Sequence, residues 1–287
     1  MANDLLAAAY LSVDSALFIK RLMGIESLPP VLALMNNVYY PQDQAIVDDQ
    51  TVPVLLGAGL ITADGAVDPA LAGWMRVLER PDIDVSLRGM EADRMRRAVV
   101  ARRGSEHVLA LRRDDEIVVQ SLWSQRETLD DVVSAPLWAA MRPTADAAAP
   151  PPAEIDPVTW SLDQVRRLAE ASAPGEMIRT LRSQWSVEPH TARVLNEVSE
   201  YSGLRCEIVM REDRGITSVE TPAGVFVADT SYGRVISAVR KQGSQIWVTY
   251  GPGTYARFRA AMADLVGLTP GRNWFAAGVE QEFFGKG

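Results

Sequence analysis

Arg103-Gly104-Ser105-Glu106-His107-Val108-Leu109-Ala110-Leu111-Arg112 and Tyr232-Gly233-Arg234-Val235-Ile236-Ser237-Ala238-Val239-Arg240 read as one element written twice. Each is a glycine-bearing turn that runs into an apolar strand. Glu116-Ile117-Val118-Val119 follows the first and Gln245-Ile246-Trp247-Val248 follows the second. The surrounding units, short strands and then a helix, span Ile83 to Met141 and again Leu204 to Leu265. Two copies are too few for a solenoid. They predict one domain with approximate two-fold symmetry, its halves covering about 1–143 and 158–287 and sharing a sheet.

Around this repeat the period of apolar residues assigns the remaining elements. Ile83, Val85 and Leu87 alternate with polar neighbours, which predicts a half-buried strand. Ala98 to Arg102, Val108 to Arg112 and Glu116 to Leu122 are strands joined by Arg103-Gly104-Ser105 and Arg113-Asp114-Asp115, both of hairpin length. Hairpins this short make neighbouring strands antiparallel, so the fold class is α+β. Gly89 to Arg96 reads as a charged connection. In the second half Cys206, Ile208 and Met210 alternate as a strand, and Val219, Val225 to Thr230, Val235 to Arg240 and Ile246 to Tyr250 continue the sheet. Helices are predicted from Ser12 to Met23, Gln42 to Leu56, Asp68 onward, Leu129 to Met141, Ser161 to Ala171, Pro174 to Trp185, Pro189 to Tyr201 and Tyr255 to Val266. Pro136 breaks or restarts the fourth. Residues 144–157 are Pro- and Ala-rich without periodicity, which marks a linker between the halves. Trp274 and Phe275 in the C-terminal segment, which also holds Phe283 and Phe284, are expected to dock on the body.

The bulk numbers narrow the function. The 287 residues carry 29 Lys and Arg against 37 Asp and Glu, a net charge of −8. That balance argues against nucleic acid and against an anionic membrane surface, since both are held by cations. Cys206 is the one cysteine, so no intrachain disulfide forms and a reducing cytoplasm is the natural setting. Leu5 to Leu11 is apolar but follows Asp4 and precedes Lys20-Arg21, which reads as an ordinary amphipathic segment and not a signal peptide. No apolar run approaches the roughly 20 residues that span a bilayer, so no stable membrane insertion is expected.

Catalytic signatures are missing. His107 and His190 have no Cys, Asp or Glu at metal-ligand spacing, and Cys206 reads as a core thiol. There is no G-x-S-x-G elbow, Walker A loop or H-E-x-x-H. Gly251-Pro252-Gly253-Thr254 precedes a helix as a turn with Thr254 as N-cap. Asp48-Asp49, Asp114-Asp115 and Asp130-Asp131 sit in contexts that local structure explains. No cofactor is expected.

Leu78-Glu79-Arg80-Pro81-Asp82-Ile83, Arg97 to Gly104 and His107 to Arg112, taken in order, resemble the EspG family of type VII secretion systems. Gly224 to Thr230 with Gly233-Arg234-Val235, then Gly251-Pro252-Gly253-Thr254 and a tryptophan in Pro270-Gly271-Arg272-Asn273-Trp274-Phe275, fit the same family. The resemblance runs over nearly the whole chain. It implies a central antiparallel sheet flanked by two helical bundles about a pseudo-two-fold axis. It also implies a cytoplasmic chaperone or adaptor that binds PE–PPE heterodimers through the PPE partner, covers its apolar tip and keeps the pair soluble until export, without enzymatic activity.

In that family the tip is covered by the loop after the first strands and by the C-terminal bundle. On this chain those regions carry Met90, Glu91, Asp93, Arg94, Met95 and Arg96, with an apolar pair inside a charged rim. The strand tips at Glu212, Asp213 and Arg214 and at Ser231 and Tyr232 are further expected contacts, at equivalent ends of paired strands. Other secretion-system components are possible partners, and the chain itself is expected as a monomer or weak homodimer. A different class stays open: an enzyme with a pocket between sheet and helical bundle.

Overall fold

The computed structural model describes residues 6–36, 38, 40–123, 128–142, 148–170, 175–200 and 203–275. Pro174 and Tyr201, expected at helix ends, Phe283 and Phe284, and residues 144–147 of the expected linker lie outside the described residues.

The first half contributes β1 (Ala9–Ser12), α1 (Val13–Leu22), α2 (Gln44–Gly57), α3 (Pro69–Glu79), β2 (Ile83–Glu91), β3 (Arg94–Arg103), β4 (Glu106–Arg113), β5 (Glu116–Ser121) and α4 (Ala135–Ala140). The second contributes β6 (Val158–Ser161), α5 (Leu162–Ala169), α6 (Glu176–Arg179), α7 (Pro189–Glu200), β7 (Arg205–Asp213), β8 (Ser218–Glu220), β9 (Val225–Thr230), β10 (Gly233–Gln242), β11 (Gln245–Pro252) and α8 (Tyr255–Val266). All strands join one antiparallel sheet ordered β1-β5-β4-β3-β2-β7-β9-β10-β11-β6, with β8 paired to β7 alone. Each half supplies a short edge strand, sets its last strand beside that edge and steps its earlier strands back to the middle. There β2 and β7 pair from Ile83↔Glu212 to Met90↔Arg205.

Local chemistry explains the element ends. Ser12 Oγ accepts from the Ser15 N–H at 3.0 Å and caps α1. Asp68 accepts from Ala70 and Leu71 N–H at 2.9 and 3.1 Å, with Pro69 at the first position of α3, where a missing N–H costs nothing. Ser161 and Gln164 form a reciprocal capping box on α5. A wide turn over Asp130–Ser134 leads into α4, where Pro136 has no N–H to give to the ladder.

Period-two alternation gives the sheet two faces. On one, Val85 and Leu87 of β2 with Ile208 and Met210 of β7 lie beneath α4 and α8. On the other, Val99, Ala101, Val108 and Ala110 pack under α1 and α3, while Trp160 and Val235 pack under α7. The helices of this second face form two flanking bundles, and the middle of the sheet lies between them. Trp274 is buried and its Nε1–H donates to His107 Nε2 at 3.1 Å. Phe275 sits edge-on to the same ring. The expected docking of both aromatics is observed.

Three features differ from the sequence expectations. β1 and β6, the two sheet edges, occupy stretches not read as strands. Part of the segment read as a linker is packed: Ala153 and Ile155 are buried, the Arg234 N–H donates to Pro151 O at 2.7 Å, and the Ala153 N–H donates to Arg234 O at 2.9 Å. Gly89 to Arg96 is no loop. β2 and β3 continue through it to a tight turn at Ala92-Asp93, with Met90 opposite Met95.

Candidate binding groove

The register across β2, β7, β9, β10 and β11 places Met90, Arg205, Glu207, Phe226, Ser237, Val239, Val248 and Tyr250 on the face between the bundles. α5 and α7 rise along one side. The result is an open groove of about 880 Å³, floored by Phe226, Val239 and Val248 and walled by Leu162, Val165 and Leu168 of α5. Trp160 closes one end, its ring 4.7 Å from Trp185 and 5.9 Å from Tyr250. Burial pushes the Tyr250 phenol up to about 12, so it stays neutral.

α5 is the informative element. Leu162, Val165 and Leu168 recur at helical spacing on one face, yet no α5 residue is buried. A helix with an apolar stripe normally buries that stripe against the body. Here the stripe faces the groove and is only half covered. The charges lie at the rim: Arg88 pairs with Glu207 at 3.0 Å, and Arg166 approaches Asp163 at 4.0 Å. Beyond Arg88 and Glu207 a smaller, polar hollow of about 340 Å³ continues along the sheet. Its buried Asp84 takes both Arg211 Nε and Nη2 at 3.0 and 2.8 Å. Burial, the larger influence, pushes the Asp84 carboxyl up, and Arg211 opposes it.

The expected contact residues separate into groups. Met90 and Met95 line the groove, Met90 being 43% exposed. Asp93 and Arg94 are exposed at the hairpin tip. Arg96 is only 5% exposed. It faces away from the groove because it is one residue out of step with Met95, and its guanidinium binds the Glu91 carboxylate and the Arg142 carbonyl. Glu91 is thereby committed to Arg96.

Ser231 and Tyr232 lie at the same end of the sheet as Met90. Ser231 is held by Glu197 of α7, its N–H and Oγ both donating to the carboxylate at 2.8–2.9 Å, and Tyr232 packs edge-on to His190. Glu212, Asp213 and Arg214 lie at the other end, roughly 23 Å along β7 from Arg205. β7 and β9 are antiparallel, so their C-terminal tips point opposite ways and the expectation of equivalent ends is corrected. Glu212 accepts from the Gly271 N–H at 2.7 Å and from Arg214 at 2.8 Å, a structural anchor for the C-terminal segment.

Sequence reasoning pointed to the second-half bundle without its residues. Trp160, Val165, Phe226 and Tyr250 were missed. The amphipathic stripe of α5 was the available signal, but a stripe alone does not say whether anything covers it.

No His or Cys lines the groove. Cys206 is buried on the other face, where burial pushes its thiol up to about 12. Among the described residues no group of three His, Cys, Asp or Glu is arranged to hold a metal, and no helix is long and apolar enough to cross a membrane.

Comparison with known proteins gives a consistent picture. Residues 12–264 match the model of the EspG family. The ESX-1 secretion-associated protein EspG1 of Mycobacterium marinum is 28% identical over 276 residues, 95% of this chain and 92% of that protein. The ESX-3 secretion-associated protein EspG3 of Mycobacterium tuberculosis is 28% identical, with 93% of each chain covered. Among solved structures, the Mycobacterium tuberculosis type VII secretion system chaperone EspG5, in complex with the PE25–PPE41 dimer, superposes with a TM-score of 0.77 at 17% identity, over 94% of this chain and 100% of that one.

Proposed function

The chain belongs to the EspG family, and on that premise we propose that it is a cytoplasmic chaperone that binds a PE–PPE heterodimer, covers the apolar tip of the PPE partner and keeps the pair soluble for type VII secretion. The carrying observation is the half-covered apolar face of α5 above the sheet. A surface built to be finished by another molecule leaves such a stripe open, at the centre of a concave apolar floor with a charged rim. The fold shared with EspG5, described as a chaperone in complex with PE25–PPE41, supports the same reading.

The groove suits binding and not chemistry. Its floor is apolar, its titratable groups are rim arginines, one glutamate and the neutral Tyr250 phenol, and acid–base work needs convergent groups over a substrate. Covering a client's apolar tip shifts the client toward its soluble form by mass action and needs no covalent step.

Co-expression with each PE–PPE pair of the same genome, followed by affinity capture and light scattering, tests the proposal. The expected result is a 1:1:1 complex that keeps an otherwise insoluble pair in solution. A folded chain that captures no pair overturns it.

A further inference from the structure

The charge around the groove has a sign opposite to that of the protein. The chain carries a net −8, yet three arginines, Arg88, Arg166 and Arg205, and one acid, Glu207, line this cavity, and with Asp163 beside Arg166 the rim still holds more cations than acids. They stand on both sides of the apolar floor: Arg88 on β2 and Arg205 on β7 along the sheet, Arg166 on α5 across from them. Neither rim pair holds its arginine tightly. Arg88 and Glu207 are 62% and 52% exposed, and Arg166 and Asp163 are 62% and 77% exposed at 4.0 Å. Pairs this open and solvated contribute little, so an incoming carboxylate replaces them readily.

We infer that the groove selects partners whose apolar tip is flanked by acidic side chains, with Arg88 and Arg166 steering and orienting those carboxylates while the floor takes the apolar residues. The inference rests on the chaperone reading and adds the chemistry that separates one client from another. A local cationic rim on an acidic chain speeds encounter with an acidic tip and repels a basic one, which acts on the association rate more than on the depth of the bound state.

The test uses the full chain and the PE–PPE pair it captures on co-expression. Association rates are measured at roughly 50 and 500 mM salt, where the screening length falls from above 10 Å to below 5 Å, for the wild type and for Arg88→Glu with Arg166→Glu. Both sites are exposed, so the variant is expected to melt with the wild type. The expected result is a wild-type rate that falls about tenfold with salt and a variant about tenfold slower at low salt whose rate no longer falls. Reversing the acidic residues of the client tip to Lys is expected to restore the variant's rate. Capture of a pair by the wild type, with equal rates and salt slopes for the variant, overturns this inference and leaves the chaperone reading standing. Capture of no pair by the wild type overturns both.

Discussion

Replacing Met90 and Met95 with Asp separates a binding groove from a surface hairpin. Met90 is 43% exposed, so about two-fifths of its side chain is still available to a partner. Fully burying a methionine is worth roughly 1.5–3 kcal/mol, which leaves about 0.6–1.3 kcal/mol for Met90. Met90→Ala is therefore expected to weaken client binding about three- to ninefold.

The Asp pair does more, because complex formation must bury two carboxylates beside an apolar tip. Even about 1.5 kcal/mol for each would bring the total to roughly 3 kcal/mol, a loss of more than a hundredfold. The free protein is affected far less, since both side chains keep contact with water and surface changes usually fall within about 0.5 kcal/mol. Titration calorimetry of the purified chain with its captured client, paired with thermal melts of the free chain, reads both quantities. Ile216→Asp is the control: it is 99% exposed, at the far end of the sheet, and is expected to bind as the wild type does. If the double Asp variant melts normally and binds within threefold of wild type, the hairpin does not touch the client.

Gly233 has φ +112°, and a Cβ there would lie 2.5 Å from Pro151 O and 2.8 Å from Ala153 N. Gly233→Ala must break the bonds joining residues 151–153 to Arg234, so a loss of about 2–4 kcal/mol is expected, read as a melting point lower by roughly 5–15 °C. Trp274→Ala removes a buried ring together with its hydrogen bond to His107. It should cost about 3–5 kcal/mol and expose the face of β4, read by faster amide exchange at Val108 to Ala110. With its thiol pushed up to about 12 by burial, Cys206 should resist alkylation at pH 8 until denaturant is added. Rapid labelling of the folded chain would contradict its placement. Asp84→Ala removes the carboxylate that Arg211 binds, but Arg211 keeps contact with water and a costly buried charge is removed with it, so a loss of about 1 kcal/mol in urea melts is expected.

The legible parts of the fold were those with local causes. Gly104 and Asp114 adopt positive φ in the two hairpin turns, as such short joints demand, and Ser12, Asp68, Ser161 and Thr254 cap the helices they precede. The edge strands β1 and β6 were not legible because four residues carry too few alternations to set a period. Arg96 was misplaced because a charged stretch with two methionines resembles a loop, whereas cross-strand pairing extends β2 and β3 to its end and turns alternate residues to opposite faces. The groove was hardest of all. α5 has the pattern of any core helix, and only the tertiary arrangement shows that its stripe is left half open.

The pairing of β2 with β7 joins segments more than a hundred positions apart in sequence. At a synthesis rate of about 5–20 residues per second, β2 leaves the ribosome on the order of ten seconds before its partner exists. During that interval the first half has β3, β4, β5 and β1 in place, but β2 presents an unpaired row of backbone donors and acceptors, the hazard of any free sheet edge. Closing so long a loop also slows folding. A protein proposed to shield aggregation-prone clients is thus itself exposed to aggregation while it is being made, and slowed translation beyond Ser121 should lower its soluble yield.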